Sequence, residues 1–107
     1  MTKQFLCKIS DIEENQAIGL NVHQKTIFIV RRDNQYYAYI NSCPHTGVNL
    51  NWQENQFMDI ENYYIQCSIH GALFNVEDGR CVWGPCVNQS LSSVPILVEK
   101  DAIYALP

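Results

Sequence analysis

The chain has 107 residues and a formal net charge of −4, and 47% of it is hydrophobic. That suffices for one core and one domain over residues 1–107, and is short for a core plus a separate catalytic domain. The acidic balance disfavours nucleic acid, which needs a basic face, and no apolar run is long enough to span a membrane as a helix.

Short β-rich runs separated by turn residues predict an all-β, antiparallel fold. Phe5 to Ile9 predicts a first strand, and Ser10 to Asn15 a polar turn with room for one helical turn. Ala17 to Val22 and Thr26 to Arg32 predict the next two strands; the second carries Ile27, Phe28, Ile29 and Val30 in a row. Asp33-Asn34-Gln35 turns the chain into Tyr36 to Ile40, whose tyrosines read as sheet packing. Trp52 to Asn62 is polar and irregular and predicts an exposed excursion. Tyr63 to Gln66, Leu73 to Val76 and Arg80 to Val82 predict short strands, the last two joined by a turn at Glu77-Asp78-Gly79. Val94 to Glu99 and Ala102 to Leu106 predict a closing hairpin around Lys100-Asp101. The first residues, Met1 to Phe5, lack the apolar stretch of a secretory signal, which predicts a cytoplasmic protein.

Two stretches carry the chemistry: Cys43-Pro44-His45-Thr46-Gly47 and Cys67-Ser68-Ile69-His70-Gly71. Each offers one thiolate and one imidazole. That set suits zinc or an iron–sulfur centre. A single zinc finger more often takes a cysteine pair from one loop and a histidine pair from another, so two mixed loops fit a two-metal site better. Five cysteines are an odd number, which argues against a closed disulfide framework.

These motifs, with Leu73-Phe74-Asn75, the Asp78-Gly79 turn and Trp83-Gly84-Pro85, resemble those of Rieske 2Fe–2S domain proteins. From about Phe5 to Leu106 the chain looks like a Rieske-type ferredoxin of bacterial oxygenase systems. The resemblance implies a Rieske fold: antiparallel sheets with a small cluster-binding subdomain at about residues 42–86. It implies one 2Fe–2S cluster, with Cys43 and Cys67 on the buried iron and His45 and His70 on the outer iron. It implies a soluble one-electron carrier, with no catalytic site of its own, between a flavin-dependent reductase and a terminal oxygenase. The alternatives are a non-catalytic Rieske subunit of a larger redox complex, similar to a nitrite reductase small subunit, and a zinc-stabilised interaction module. His23 is the one histidine left over, too few for the two-histidine mononuclear iron of a Rieske oxygenase.

The resemblance also orders the details. Gly47 and Gly71 let the backbone turn towards the cluster, and Gly84-Pro85 belongs to a loop that covers it. High-potential relatives join their ligand loops by a disulfide; the matching positions here are Val48 and Ile69. Those relatives also place a Ser and a Tyr where this chain has Ala72 and Phe74, which implies a potential near the low end of the Rieske range. Cys81 and Cys86 are expected to be thiols, and Cys7 a small buried apolar residue. The 21 residues between His45 and Cys67 suggest an elaborated hairpin between the loops.

Overall fold

The computed structural model describes residues 3–22, 24–44, 47, 49–51, 53–68 and 71–106. Among them are nine strands: β1 (Gln4–Lys8), β2 (Ala17–Val22), β3 (Lys25–Arg32), β4 (Gln35–Ile40), β5 (Ile65–Gln66), β6 (Leu73–Phe74), β7 (Cys81–Trp83), β8 (Ile96–Glu99) and β9 (Ala102–Ala105). They pair antiparallel into three sheets, ordered β1-β9-β8, β2-β3-β4 and β5-β6-β7. The all-β antiparallel expectation holds.

β3 is the centre of the molecule, and its sequence says why. Successive side chains of a strand point to opposite faces, so a continuous apolar run requires cover on both. Phe28 and Val30 enter a core shared with the loops and with β5–β7. Ile29 enters a second core with Cys7, Ile12, Ala38 and Ile103, between this sheet and β1-β9-β8. All four residues from Ile27 to Val30 are buried, each worth roughly 1.5–3 kcal/mol of transfer free energy. Two-residue turns set the register: Asp33 and Asn34 (φ 53° and 59°) join β3 to β4, and Lys100 and Asp101 (51° and 66°) join β8 to β9. Positive φ at both central residues matches the twist of a hairpin.

Several boundaries shift. The first strand ends at Lys8, because Ile9–Asp11 forms a 3-10 turn in which Asp11 accepts from the Lys8 N–H at 2.9 Å. The last hairpin begins at Ile96, not Val94; the Val94 N–H instead bonds the Ala38 carbonyl at 2.9 Å, attaching this segment to the edge of β4. Tyr63 and Tyr64 are outside β5, since both N–H groups bond the Asp59 carboxylate.

The largest departure is the excursion. Residues 53–62 are not simply exposed. Phe57 and Met58 are buried in the site-side core, and Phe57 stacks on Phe28 with ring centroids 4.5 Å apart. Two apolar residues among polar neighbours gave no period to read, and tertiary contact decided their place. Arg32 pins the far end: its Nη2 donates to the Asn62 carbonyl at 3.0 Å, Nε donates to Asn15 at 3.1 Å, and the guanidinium lies 4.8 Å from the Tyr63 ring centroid.

Candidate metal centre

The first ligand loop leaves the end of β4. The Gly47 N–H bonds the Cys43 carbonyl at 2.7 Å. Gly47 has φ +80° and Gly71 φ +64°, a region that side chains disfavour, as expected from the sequence. Asn41 fastens the loop to itself. Its Oδ1 accepts from the Leu50 N–H at 2.7 Å, and its Nδ2 donates to Asn51 Oδ1 at 2.9 Å. Asn41 is buried, so its amide holds the two ends together without competing water.

The second loop hangs between β5 and β6, and the Cys67 N–H bonds the Ala72 carbonyl at 2.8 Å across its neck. The two loops are tied to each other: the Ser68 N–H donates to the Leu50 carbonyl at 2.8 Å. Asn41, Leu50 and Ser68 thus form a fastening that sequence reading missed. An isolated asparagine beside a motif reads as a turn residue, and only its burial exposes the role.

Cys43 and Cys67 are 2% and 1% exposed and belong to one core cluster with Ala72, Phe74, Cys81 and Cys86. Gly47, Asn49 and Ser68 on the same loops are exposed. The cysteine side therefore faces inward while the loop rims face water. Among the described residues no three His, Cys, Asp or Glu side chains gather as a metal site. His45, His70 and His23, with Val48 and Ile69, lie outside the described residues. Two inward thiols on loops tied together suit a thiolate-held iron of a mixed cysteine/histidine cluster, because burial keeps water from the sulfurs.

A third loop covers the second. Val82 to Pro85 folds back so that a Cβ at Gly84 would lie 2.9 Å from Ala72 Cα, and one at Gly71 would lie 4.0 Å from the Trp83 ring. Only glycine at 84 permits that approach. Trp83, Val82 and Val87 are exposed. Ala72 and Phe74 are buried and offer no hydroxyl. None of the five cysteines, all described, is in a disulfide. Cys7 is buried, as expected. Burial pushes the Cys86 thiol up to about 12; its hydrogen bond to Cys81 and the nearby charge of Cys43 act in the same direction.

An antiparallel β fold with two cysteine-bearing loops, one leaving β4 and one hanging between β5 and β6, hydrogen-bonded to each other, defines a metal-centre domain of the iron–sulfur class. The chain matches the Rieske [2Fe-2S] domain over residues 2–99 and belongs to that family; its cofactor is a Rieske-type 2Fe–2S cluster. It is 26% identical over 105 residues to the ferredoxin component of a naphthalene 1,2-dioxygenase system from Pseudomonas aeruginosa, covering 96% of this chain and 95% of that one. Its fold is similar to the ferredoxin of carbazole 1,9a-dioxygenase from Nocardioides aromaticivorans IC177, with a TM-score of 0.81 at 21% identity over 100% of this chain and 99% of the other. A ferredoxin-containing structure, a complex of reduced oxygenase and oxidised ferredoxin in carbazole 1,9a-dioxygenase, gives a TM-score of 0.77 at 25% identity, covering 96% and 91%.

Proposed function

We propose that the protein is a cytoplasmic one-electron carrier of the Rieske ferredoxin type. It takes electrons from a flavin-dependent reductase and delivers them to a terminal oxygenase. Cys43, His45, Cys67 and His70 hold the cluster, and residues 42–86 form the cluster-binding unit of a single domain. The observation that carries this reading is the pair of cysteine loops: thiols buried, rims exposed, and the two loops hydrogen-bonded to each other. Relatives of nearly equal length that serve oxygenase systems support the choice of partners.

When bound, the cluster supplies a site that accepts and releases one electron at a potential raised by its imidazole ligands. The residues of this chain do the rest. Leu50, Asn41 and Ser68 fix the loops, so little reorganisation accompanies a change of charge. Phe74 and Ala72 keep the sulfur side dry. Exposed Val82, Trp83 and Val87 give a partner an apolar surface beside the loop rims.

The test is elemental and spectroscopic. Iron and acid-labile sulfide should be equimolar, dithionite should give the anisotropic resonance of a mixed nitrogen/sulfur-ligated cluster, and the reduced protein should be reoxidised by a terminal oxygenase. Zinc without sulfide, in protein made under iron-replete anaerobic conditions, would end the reading. Tight co-purification with a large redox enzyme would favour a subunit role over a diffusible carrier.

A further inference from the structure

Two buried sulfurs stand outside the cluster ligand set and have been given no task. Cys81 opens β7, and Cys86 follows the covering loop 82–85. Their Sγ atoms are 2.7 Å apart, with Cys86 donating to Cys81 and Cys81 donating to the Trp83 carbonyl at 3.3 Å. Each residue is 1% exposed. The base of the loop is closed by backbone bonds: Cys81 N–H to the Gln89 carbonyl and Gln89 N–H to the Cys86 carbonyl, both 2.9 Å. The pairing of Arg80 with Ser90 continues this closure.

That separation discriminates between uses. Two thiolates sharing one tetrahedral zinc at about 2.3 Å each would stand roughly 3.8 Å apart. A sulfur–sulfur bond is about 2.0 Å. The pair is placed for covalent closure, not for sharing a metal. The loop it would close is also placed to matter. Gly84 rests on the Ala72 backbone, Trp83 flanks Gly71, and β7 pairs with β6 through Phe74–Cys81 and Leu73–Trp83. Whatever fixes the loop fixes the cover of the second ligand loop.

We propose that Cys81 and Cys86 form a reversible disulfide that locks the covering loop over the cluster site. The oxidant is a small-molecule disulfide of the glutathione class, admitted when the exposed loop opens locally. One cysteine sulfur, after giving up its proton, attacks the glutathione disulfide; that S–S bond breaks and one glutathione leaves. The second cysteine sulfur then displaces the other glutathione. The protein loses two protons and two electrons, and both end on two glutathione thiols. An excess of reduced glutathione reverses the exchange, so the thiol form prevails in a reducing cell and the locked form appears when the pool is oxidised.

The experiment equilibrates iron-loaded protein anaerobically in buffers of graded reduced-to-oxidised glutathione ratio, quenches with acid, unfolds, alkylates, and maps thiols by mass spectrometry. This readout does not depend on electron transfer to any partner. The expected result is joint, two-electron loss of alkylation at Cys81 and Cys86, with Cys7, Cys43 and Cys67 still alkylated. Heating the two forms while following visible absorbance should show the cluster lost later in the oxidised protein, by on the order of 5–10 °C. Cys86→Ala should abolish that difference while keeping the absorbance spectrum. The proposal is overturned if both thiols remain alkylatable at the most oxidising ratio. It is equally overturned if stable glutathione adducts or other cysteine pairs form instead, or if the disulfide forms without changing the temperature of cluster loss.

Discussion

The two faces of β3 are covered in different ways. On one, Ile29 meets Ala38, Cys7 and Ile103 from paired strands, with Leu20 and Ile96 packed around them. Most of that cluster comes from regular sheet, with Ile9, Ile12 and Val94 the exceptions. On the other, Phe28 and Val30 share a cluster with Phe57, Leu50, Cys43, Cys67 and Val76, all five from loops and turns. The sheet face is redundant, since each residue sits in a repeating ladder. The site face hangs on single bonds: Leu50 N–H to Asn41, Ser68 N–H to Leu50, and the Tyr39 hydroxyl to the Val76 carbonyl at 2.5 Å. A loop-built core can bring two cysteines together, but losing one contact there should cost more function than a comparable loss on the sheet face.

That contrast can be broken from the top down. Cys43→Ser and Cys67→Ser should each abolish the cluster, seen as loss of visible absorbance and of iron, while far-ultraviolet dichroism retains the β signal of the sheet face. Retention of a full cluster by either variant would remove the loops from the site. Next in size is Phe57→Ala, which empties the stacking position beside Phe28 and should destabilise by about 3–5 kcal/mol. Ile29→Ala, the matching truncation on the opposite face, should cost about 2–5 kcal/mol. Denaturant midpoints check both losses, and chelator-driven iron release hastened as much by Ile29→Ala as by Phe57→Ala would erase the asymmetry.

Asn41→Ala leaves a buried Leu50 N–H without its acceptor, for a cost of about 1–3 kcal/mol. It should also hasten iron loss on dilution into chelator. Asn41→Asp keeps the acceptor and should recover part of both. An iron-release rate unchanged in Asn41→Ala would show the loops to be held elsewhere.

Ala72→Ser and Phe74→Tyr sharpen the electronic side. A hydroxyl donating to sulfur strengthens its bond as negative charge accumulates, so it favours the reduced state. With about 1–2 kcal/mol of differential stabilisation, each should raise the potential by roughly 40–90 mV. Voltammetry on intact holoprotein checks the sign, and no upward shift from either would discard the hydrogen-bond account.

The smallest effect belongs to the sheet face. Burial, with a lesser push from Asp11, raises the Cys7 thiol from 9.0 to about 11. A raised thiol keeps its proton in the folded state when the unfolded chain has lost it. Its contribution is therefore complete below pH 9 and is lost as pH rises through about 11. Unfolding free energy should fall over that window, and Cys7→Ala should flatten the slope without touching the cluster spectrum.

How much of this was legible in the sequence follows the same division. The apolar run Ile27-Phe28-Ile29-Val30 announced a strand, and Asp33-Asn34 and Lys100-Asp101 announced turns, because period and turn chemistry are local properties. The motifs around Cys43 and Cys67 announced a metal centre because ligand type and spacing are local too, and they sufficed for the family. The sequence could not show that Phe57 leaves a polar stretch to stack on Phe28, or that Asn41 is buried and ties Leu50 and Asn51. Nor could it show that Cys81 and Cys86 meet across the covering loop. Each of these depends on where distant segments come to rest, and that placement is decided by packing volume and by the need to satisfy buried polar groups. Neither leaves a period in the chain.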